Sequence, residues 1–307
     1  MQYNFSVRLI SAIILSVISL YAKSDEITIP YKGLTLNANY ELASTKQTID
    51  EVILITHGSL AHRDMEIIGN LQSQLKDRGH NTLAINLSLG ISSRHGMYDC
   101  KQTHRHQNTD AVDEIAEWMN WLAKQGVQQV TLLGHSRGAA QTALYAVEHN
   151  NPNVKSVVLM APPTFNNAGA GYQKRYQQDL EPVLKKAQQL LMDGKGDTVL
   201  QHVNMMFCRD VDVTAASFVS YYAPDPVHDT PSLMPRIRTP TLVVVAEEDE
   251  VVRGLEKRVS SLVDGKQLRM KVIEGAGHFF RDIYADDAID AIEGFLAEVR
   301  SQKHVNI

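Results

Sequence analysis

Several features are scarce in this sequence, and each scarcity excludes something. Only two of the 307 residues are cysteines, Cys100 and Cys208, so at most one internal disulfide can form. No run of lysine and arginine occurs and the net charge is −5, which gives no reason to expect a nucleic-acid partner. No internal repeat or low-complexity tract is visible, so a repeat architecture is set aside. Beyond Leu20 no stretch is long and apolar enough to span a bilayer. What remains is ordinary: 44% hydrophobic and 21% charged residues, enough for one large α/β domain with an insertion or for two small domains.

The first residues have the character of a targeting segment. Arg8 is followed by Leu9–Leu20, an uninterrupted run of apolar residues and serines. That is short for a membrane span and suits a signal-peptide core, with cleavage expected after Ala22 or Ser24; an uncleaved anchor is the rival. No cysteine sits at the cleavage point, which argues against a lipid-modified N-terminus. The expected location is periplasmic or secreted, where a Cys100–Cys208 bridge is permitted. Two separate buried thiols are the alternative.

Residues 25–163 and 239–307 alternate between strand and helix. Glu26–Tyr31 and Leu34–Leu42 predict a hairpin around Lys32-Gly33. Glu51–Thr56, Asn81–Leu89, Val130–Leu133, Val154–Met160, Thr241–Ala246 and Leu268–Ile273 predict strands, most of them continuously apolar and so buried on both faces. Between them, Met65–Arg78, Asp110–Lys124, the stretch after Ser136, Val251–Val263 and Ala285–Arg300 have helical periodicity. This pattern means a mostly parallel sheet flanked by helices, with the site at the carboxyl ends of the strands. Residues 164–238 break the alternation. Helical patches at Tyr172–Asp193, Thr198–Phe207 and Val213–Tyr222 precede a proline-rich stretch, and the segment is expected to be a helical cap.

Three strand ends carry polar residues that one mechanism needs. Val130–Leu133 runs into Gly134-His135-Ser136-Arg137-Gly138 and then into a helix. A strand-to-helix reversal this tight strains the serine backbone and exposes its hydroxyl, and the N–H of Arg137 lies where helical partial charge collects. Serine is a weak nucleophile at neutral pH and needs a base, for which histidine is suited; His278, past Ile273, is placed for it. A carboxylate must then orient the imidazole, and Glu247-Glu248-Asp249-Glu250 offers four.

These motifs resemble the α/β-hydrolase superfamily over nearly all of the chain from Glu26. The resemblance implies an α/β-hydrolase fold with Ser136 as nucleophile and His278, in Gly275–His278, as base. Ala246–Val252 resembles the family's Gly-x-x-Asp-x-x-Val, which implies Asp249 as the acid, with Glu248 the runner-up. His57-Gly58-Ser59 resembles the His-Gly-x loop, which implies an oxyanion hole made by the N–H groups of Ser59 and Arg137. No cofactor or metal is implied. A serine hydrolase acting on small or medium carboxylic esters through an acyl-enzyme is the expected activity. An amidase or peptidase of the same fold, or a binding protein that keeps the fold without chemistry, are the alternatives.

Some residues keep two readings. His57 and His135 are expected to be structural. Arg137 is either an ordinary exposed first-turn arginine or a bias toward anionic substrates. The loop Arg94-His95…Cys100…His104-Arg105-His106 has donors for zinc but no standard spacing, and is expected to lie along the cap. Met205, Met206, Phe207, Phe218, Tyr221 and Tyr222 either line an acyl pocket or pack the cap on the core.

Overall fold

A computed structural model of the chain describes residues 25–43, 49–165 and 168–305. The expected targeting segment, residues 1–24, lies outside the described residues. In chain order the first elements are strand β1 (Asp25–Tyr31), strand β2 (Leu34–Glu41), strand β3 (Glu51–Thr56), helix α1 (Glu66–Asp77), strand β4 (Asn81–Asn86), helix α2 (Asp110–Lys124), strand β5 (Gln129–His135), helix α3 (Arg137–His149) and strand β6 (Val154–Met160). An insertion follows with helices α4 (Ala168–Tyr176) and α5 (Glu181–Met192), strands β7 (Val199–Met205) and β8 (Cys208–Thr214), helix α6 (Ala215–Tyr222) and the single turn α7 (Thr230–Leu233). Strand β9 (Thr241–Ala246), helix α8 (Leu255–Ser260), strand β10 (Leu268–Ile273) and helix α9 (Ile283–Val305) close the chain.

Eight strands form one sheet in the order β1-β2-β4-β3-β5-β6-β9-β10. β1 and β2 are antiparallel to each other, β2 is antiparallel to β4, and from β4 to β10 all neighbours are parallel. The β1–β2 turn is tight because Lys32 and Gly33 both take positive φ, 45° and 79°, as a two-residue hairpin loop requires.

Side-chain alternation divides the core into two layers. Val52 and Leu54 of β3 point into the layer under α2, α3 and α8, whereas Ile53 and Ile55 point into the layer under α1 and α9. All four are essentially inaccessible, each worth about 1.5–3 kcal/mol of transfer free energy. α2 forms because Val112, Ile115, Met119 and Leu122 share one buried face, Asp110 and Asp113 sit at its positive end and Lys124 at its negative end. Gly126, at φ 85°, ends it.

The insertion differs from the sequence expectation. Thr198–Phe207 was expected to be helical, but residues 199–205 form β7, which pairs antiparallel with β8. β-branched Val199, Val203, Val211 and Val213 favour the extended backbone, and Met206 at φ 55° makes the turn without a glycine. The outer face carries exposed Gln201, His202, Arg209 and Asp210, so no apolar run marks the strands. Tyr172–Asp193 is also two helices rather than one, broken where Gln177 takes φ 57°. Helix α8 is shorter than the expected Val251–Val263 because Gly254, at φ 72°, cannot continue a right-handed turn.

Cys100 and Cys208 form a disulfide, with Cα atoms 5.5 Å apart, so no free cysteine remains among the described residues. The bridge joins the β4–α2 loop to the start of β8. The same loop is stitched further along the insertion: His104 N–H donates to Asp212 O and Thr214 N–H to His104 O, while Ser217 Oγ donates to His106 O at 2.5 Å. Tyr98 from this loop and Leu60 from the β3–α1 loop enter the insertion's own apolar cluster around Phe218, Met205 and Tyr172.

Candidate active site

Parallel strands β5, β9 and β10 end at the same edge, which brings together residues separated by more than a hundred positions. Ser136 lies between β5 and α3 at φ 55° and ψ −127°, a backbone region that a side chain rarely adopts. Its own N–H is held by Met160 O at 2.9 Å. The flanking glycines are there for space. A Cβ at Gly134 would lie 2.5 Å from Gly138 O, and one at Gly138 would overlap the carbonyl oxygens of Thr56 and His57.

His278 Nε2 is 2.9 Å from Ser136 Oγ, and His278 Nδ1 is 2.8 Å from Asp249 Oδ2. An ionised carboxylate only accepts hydrogen bonds, so Nδ1 carries the proton and Nε2 accepts from the serine hydroxyl. Asp249 and His278 expose only 5% and 3% of their side chains, which sets Asp249 apart from a solvated surface acid. The second oxygen of Asp249 accepts from the N–H groups of Val251 and Val252 at 2.8 and 2.6 Å. These bonds fix the carboxylate's orientation toward the imidazole.

The four-acid run thereby divides. Asp249 reaches the histidine. Glu247 accepts from Gly275 N–H at 2.8 Å and Glu250 from His278 N–H at 3.2 Å, so both brace the histidine loop. Glu248, exposed, touches neither the serine nor the histidine. His135 also has a part that its sequence context did not reveal. It is buried beside the sheet as expected, but its Nε2–H donates to the His278 carbonyl at 2.9 Å, and the two rings lie 4.9 Å apart. Burial first, and then the neighbouring His278, pull its pKa down to about 3, so it acts as a neutral donor.

His57 is structural, as read from the sequence. Leu87 N–H and Arg94 Nη2 donate to its Nε2, both at 3.1 Å, which leaves Nδ1–H to donate to Gly58 O at 2.9 Å. Burial, with the Arg94 charge beside it, lowers its pKa to about 3. The loop it holds passes close to the serine: a Cβ on Gly58 would be 3.2 Å from Ser136 Cβ. The N–H groups of Ser59 and Arg137 donate to no protein group among the described residues. Arg137 Nε donates to Ser59 Oγ at 2.9 Å, tying this loop to the first turn of α3.

Arg137 is therefore not an ordinary exposed first-turn arginine. It is partly enclosed under the insertion, with Nη1 donating to Asn108 Oδ1 at 3.2 Å and the guanidinium carbon 5.2 Å from the Tyr221 ring centre. The histidine loop does lie along the insertion. His104 and His106 are buried against each other and against Tyr98 and Tyr221, with His106 Nδ1 2.8 Å from Tyr221 Oη. Met205, Met206, Phe218 and Tyr221 are buried in a cluster made mostly of insertion residues, which Leu60 and Tyr98 join from the core loops, whereas Phe207 faces solvent.

A family model described as the alpha/beta hydrolase fold matches residues 51–281. Among solved structures, the ferulic-acid-bound form of Est1E from Butyrivibrio proteoclasticus is similar at 17% identity and a TM-score of 0.67, covering 90% of this chain and 99% of that one. The Pyrococcus furiosus esterase Pf2001 is similar at 14% identity and a TM-score of 0.58, covering 90% of each chain. A bacterial membrane phospholipase A is similar at 18% identity and a TM-score of 0.56, covering 90% of this chain and 87% of that one. At these identities the structural likeness speaks for the fold.

Proposed function

The chain belongs to the α/β-hydrolase fold family, and on that basis we propose that it is a serine hydrolase that cleaves carboxylic esters of small or medium molecules through an acyl-enzyme. The observation that carries this reading is the unbroken hydrogen-bonded chain from Asp249 through His278 to Ser136 at one edge of the sheet. In the proposed mechanism Ser136 Oγ attacks the ester carbonyl while His278 Nε2 takes its proton. Asp249 keeps the productive tautomer and stabilises the imidazolium. The tetrahedral oxyanion receives the N–H groups of Ser59 and Arg137; loss of one such donor typically raises a barrier by about 2.7–4 kcal/mol. Collapse expels the alcohol with the proton from His278, and water then repeats the sequence on the acyl-serine. Esters are favoured over amides because an alkoxide leaves more readily than an amine anion.

The test is pre-steady-state release of p-nitrophenol from p-nitrophenyl butanoate. A burst equal to the enzyme concentration is expected where deacylation is the slower step; in either case release should be abolished by Ser136→Ala and turnover lost in folded His278→Ala. Retained turnover in His278→Ala would remove that residue from its role, and a folded protein that turns over no ester would favour the binding-protein alternative. We also propose that residues 1–24 direct export. This is supported by Arg8 and the apolar run Leu9–Leu20 together with the Cys100–Cys208 bridge. N-terminal sequencing of the exported form should begin after Ala22 or Ser24.

A further inference from the structure

We propose that the Arg137 side chain is the anion-binding group of the substrate pocket, and that the preferred substrates are esters bearing a carboxylate near the scissile carbonyl. This rests on the esterase reading above and specifies its substrate class.

Arg137 is the residue after Ser136, and its Nε reaches the hydroxyl of Ser59 on the loop that passes beside the serine. The guanidinium thus lies next to the place where a substrate carbonyl must sit. None of the ion pairs among the described residues involves it. Its two fixed acceptors, Ser59 Oγ and Asn108 Oδ1, are neutral and occupy Nε and Nη1. Nη2 donates to no described protein group, which leaves it for a ligand.

The groups facing the arginine from the surrounding elements do not neutralise it. The insertion contributes Tyr221 and Tyr222, whose phenols burial keeps protonated, and a second cation, Arg175. The stretch after α6 contributes His228 and the β4–α2 loop contributes His106. Burial, with the Arg137 charge adding to it, lowers the pKa of both. Burial likewise makes the arginine's own charge costly, and its pKa is lowered. A partly enclosed guanidinium that no carboxylate accompanies favours an anionic partner over a neutral one. The chain as a whole carries a net charge of −5, so the guanidinium is opposite in sign to the net charge of the molecule.

Two geometric features make the ligand a carboxylate rather than a neutral acceptor. Arginine's planar fork matches a carboxylate, and with Nε and Nη1 tethered its orientation is preset. The guanidinium carbon lies 5.2 Å from the Tyr221 ring centre, so an aromatic ring flanks the fork on the insertion side. A merely structural Arg137, bracing Ser59 and Asn108, would affect neutral and anionic esters alike. A binding Arg137 separates them.

The test uses length-matched methyl esters in a pH-stat near neutral pH: monomethyl succinate, glutarate and adipate against methyl butanoate, pentanoate and hexanoate. In the wild type, kcat/KM for at least one anionic member should exceed that of its neutral partner by about tenfold, and added salt should shrink this ratio. Arg137→Gln should lower the ratio by about tenfold, and Arg137→Lys should retain part of it. A wild-type ratio near one for every pair, a ratio unmoved by salt, or the same ratio in Arg137→Gln would overturn the proposal. The neutral esters report separately on the esterase reading, through turnover that depends on Ser136. Calorimetry of the monomethyl ester with the highest anionic-to-neutral ratio, binding to Ser136→Ala and to Ser136→Ala/Arg137→Gln, removes chemistry from the comparison. A roughly tenfold weaker Kd in the double variant supports the proposal, and equal affinities refute it.

Discussion

Acidification from pH 7 to pH 5 should destabilise this protein severely, because four histidines are folded in their neutral form. Burial lowers His57, His106 and His135 to about 3, assisted by Arg94, by His104 and by His278 respectively, and it lowers His104 to about 4. In the unfolded chain each titrates near ~6.5. Because the folded pKa is the lower one, the unfolded state takes protons first. Each histidine's contribution is complete above pH ~6.5 and is lost as the pH falls toward the folded value. Between pH 7 and pH 5 that is about 2 kcal/mol for each of the four. Glu114 works in the opposite direction. Burial raises its pKa to about 7, although Ser88 donates to both of its oxygens, so its neutral form favours the folded state as the pH falls. It returns about 2 kcal/mol over the same interval, leaving a net loss of about 6 kcal/mol, comparable to the whole stability of many domains. His104 illustrates the physical cause: its Nε2 has no hydrogen-bond partner among the described residues, and a proton there would be a buried, unpaired charge. The assay is urea unfolding at pH 7, 6 and 5, followed by far-ultraviolet circular dichroism. The midpoint should fall steadily, and Glu114→Gln should steepen the fall by about 2 kcal/mol. A midpoint that holds or rises between pH 7 and pH 5 would refute the reasoning.

Other perturbations separate the remaining parts. Asp249→Asn should lower kcat on a neutral ester by about 10⁴ with little change in stability, since the amide stabilises the wrong imidazole tautomer; Glu248→Gln should be silent in the same assay. Gly138→Ala should reduce stability by about 3 kcal/mol or more in chemical denaturation, because its methyl group meets backbone oxygens of Thr56 and His57 that cannot rotate away. Removing both cysteines, Cys100→Ser and Cys208→Ser, should cost about 4–5 kcal/mol by loop-closure entropy, with the residues 108 apart in sequence. Unfolding of oxidised and reduced wild type should differ by the same amount.

The sheet core was legible because its strands are buried on both faces and its helices have one apolar side. Leu268–Ile273 and Asp110–Lys124 begin and end where the sequence places them. Ser136, His278 and the four-acid run could be placed because each follows an apolar strand and parallel strands share one edge, whereas Asp249 was singled out from its neighbours only by the resemblance of Ala246–Val252 to the family motif. The order of strands in the sheet could not be read, since every parallel strand looks alike in sequence. The β7–β8 hairpin was missed because half of its surface is polar and its Met206-Phe207 turn has no glycine, asparagine or proline. His135 reads as structural from sequence, but its bond to the His278 carbonyl depends on a loop 143 residues away. The surroundings of Arg137 come from loops distant in sequence as well, which is why the sequence leaves both of its readings open.

The most direct measurement is covalent: incubate the folded protein with a fluorophosphonate probe, digest it, and locate the adduct by mass spectrometry. If Asp249, His278 and Ser136 work as a unit, the phosphonyl group should appear on Ser136 alone, and neither Ser136→Ala nor His278→Ala should be labelled at a comparable rate. Absence of labelling on folded wild type, or an adduct on a different serine that persists in Ser136→Ala, would contradict the account.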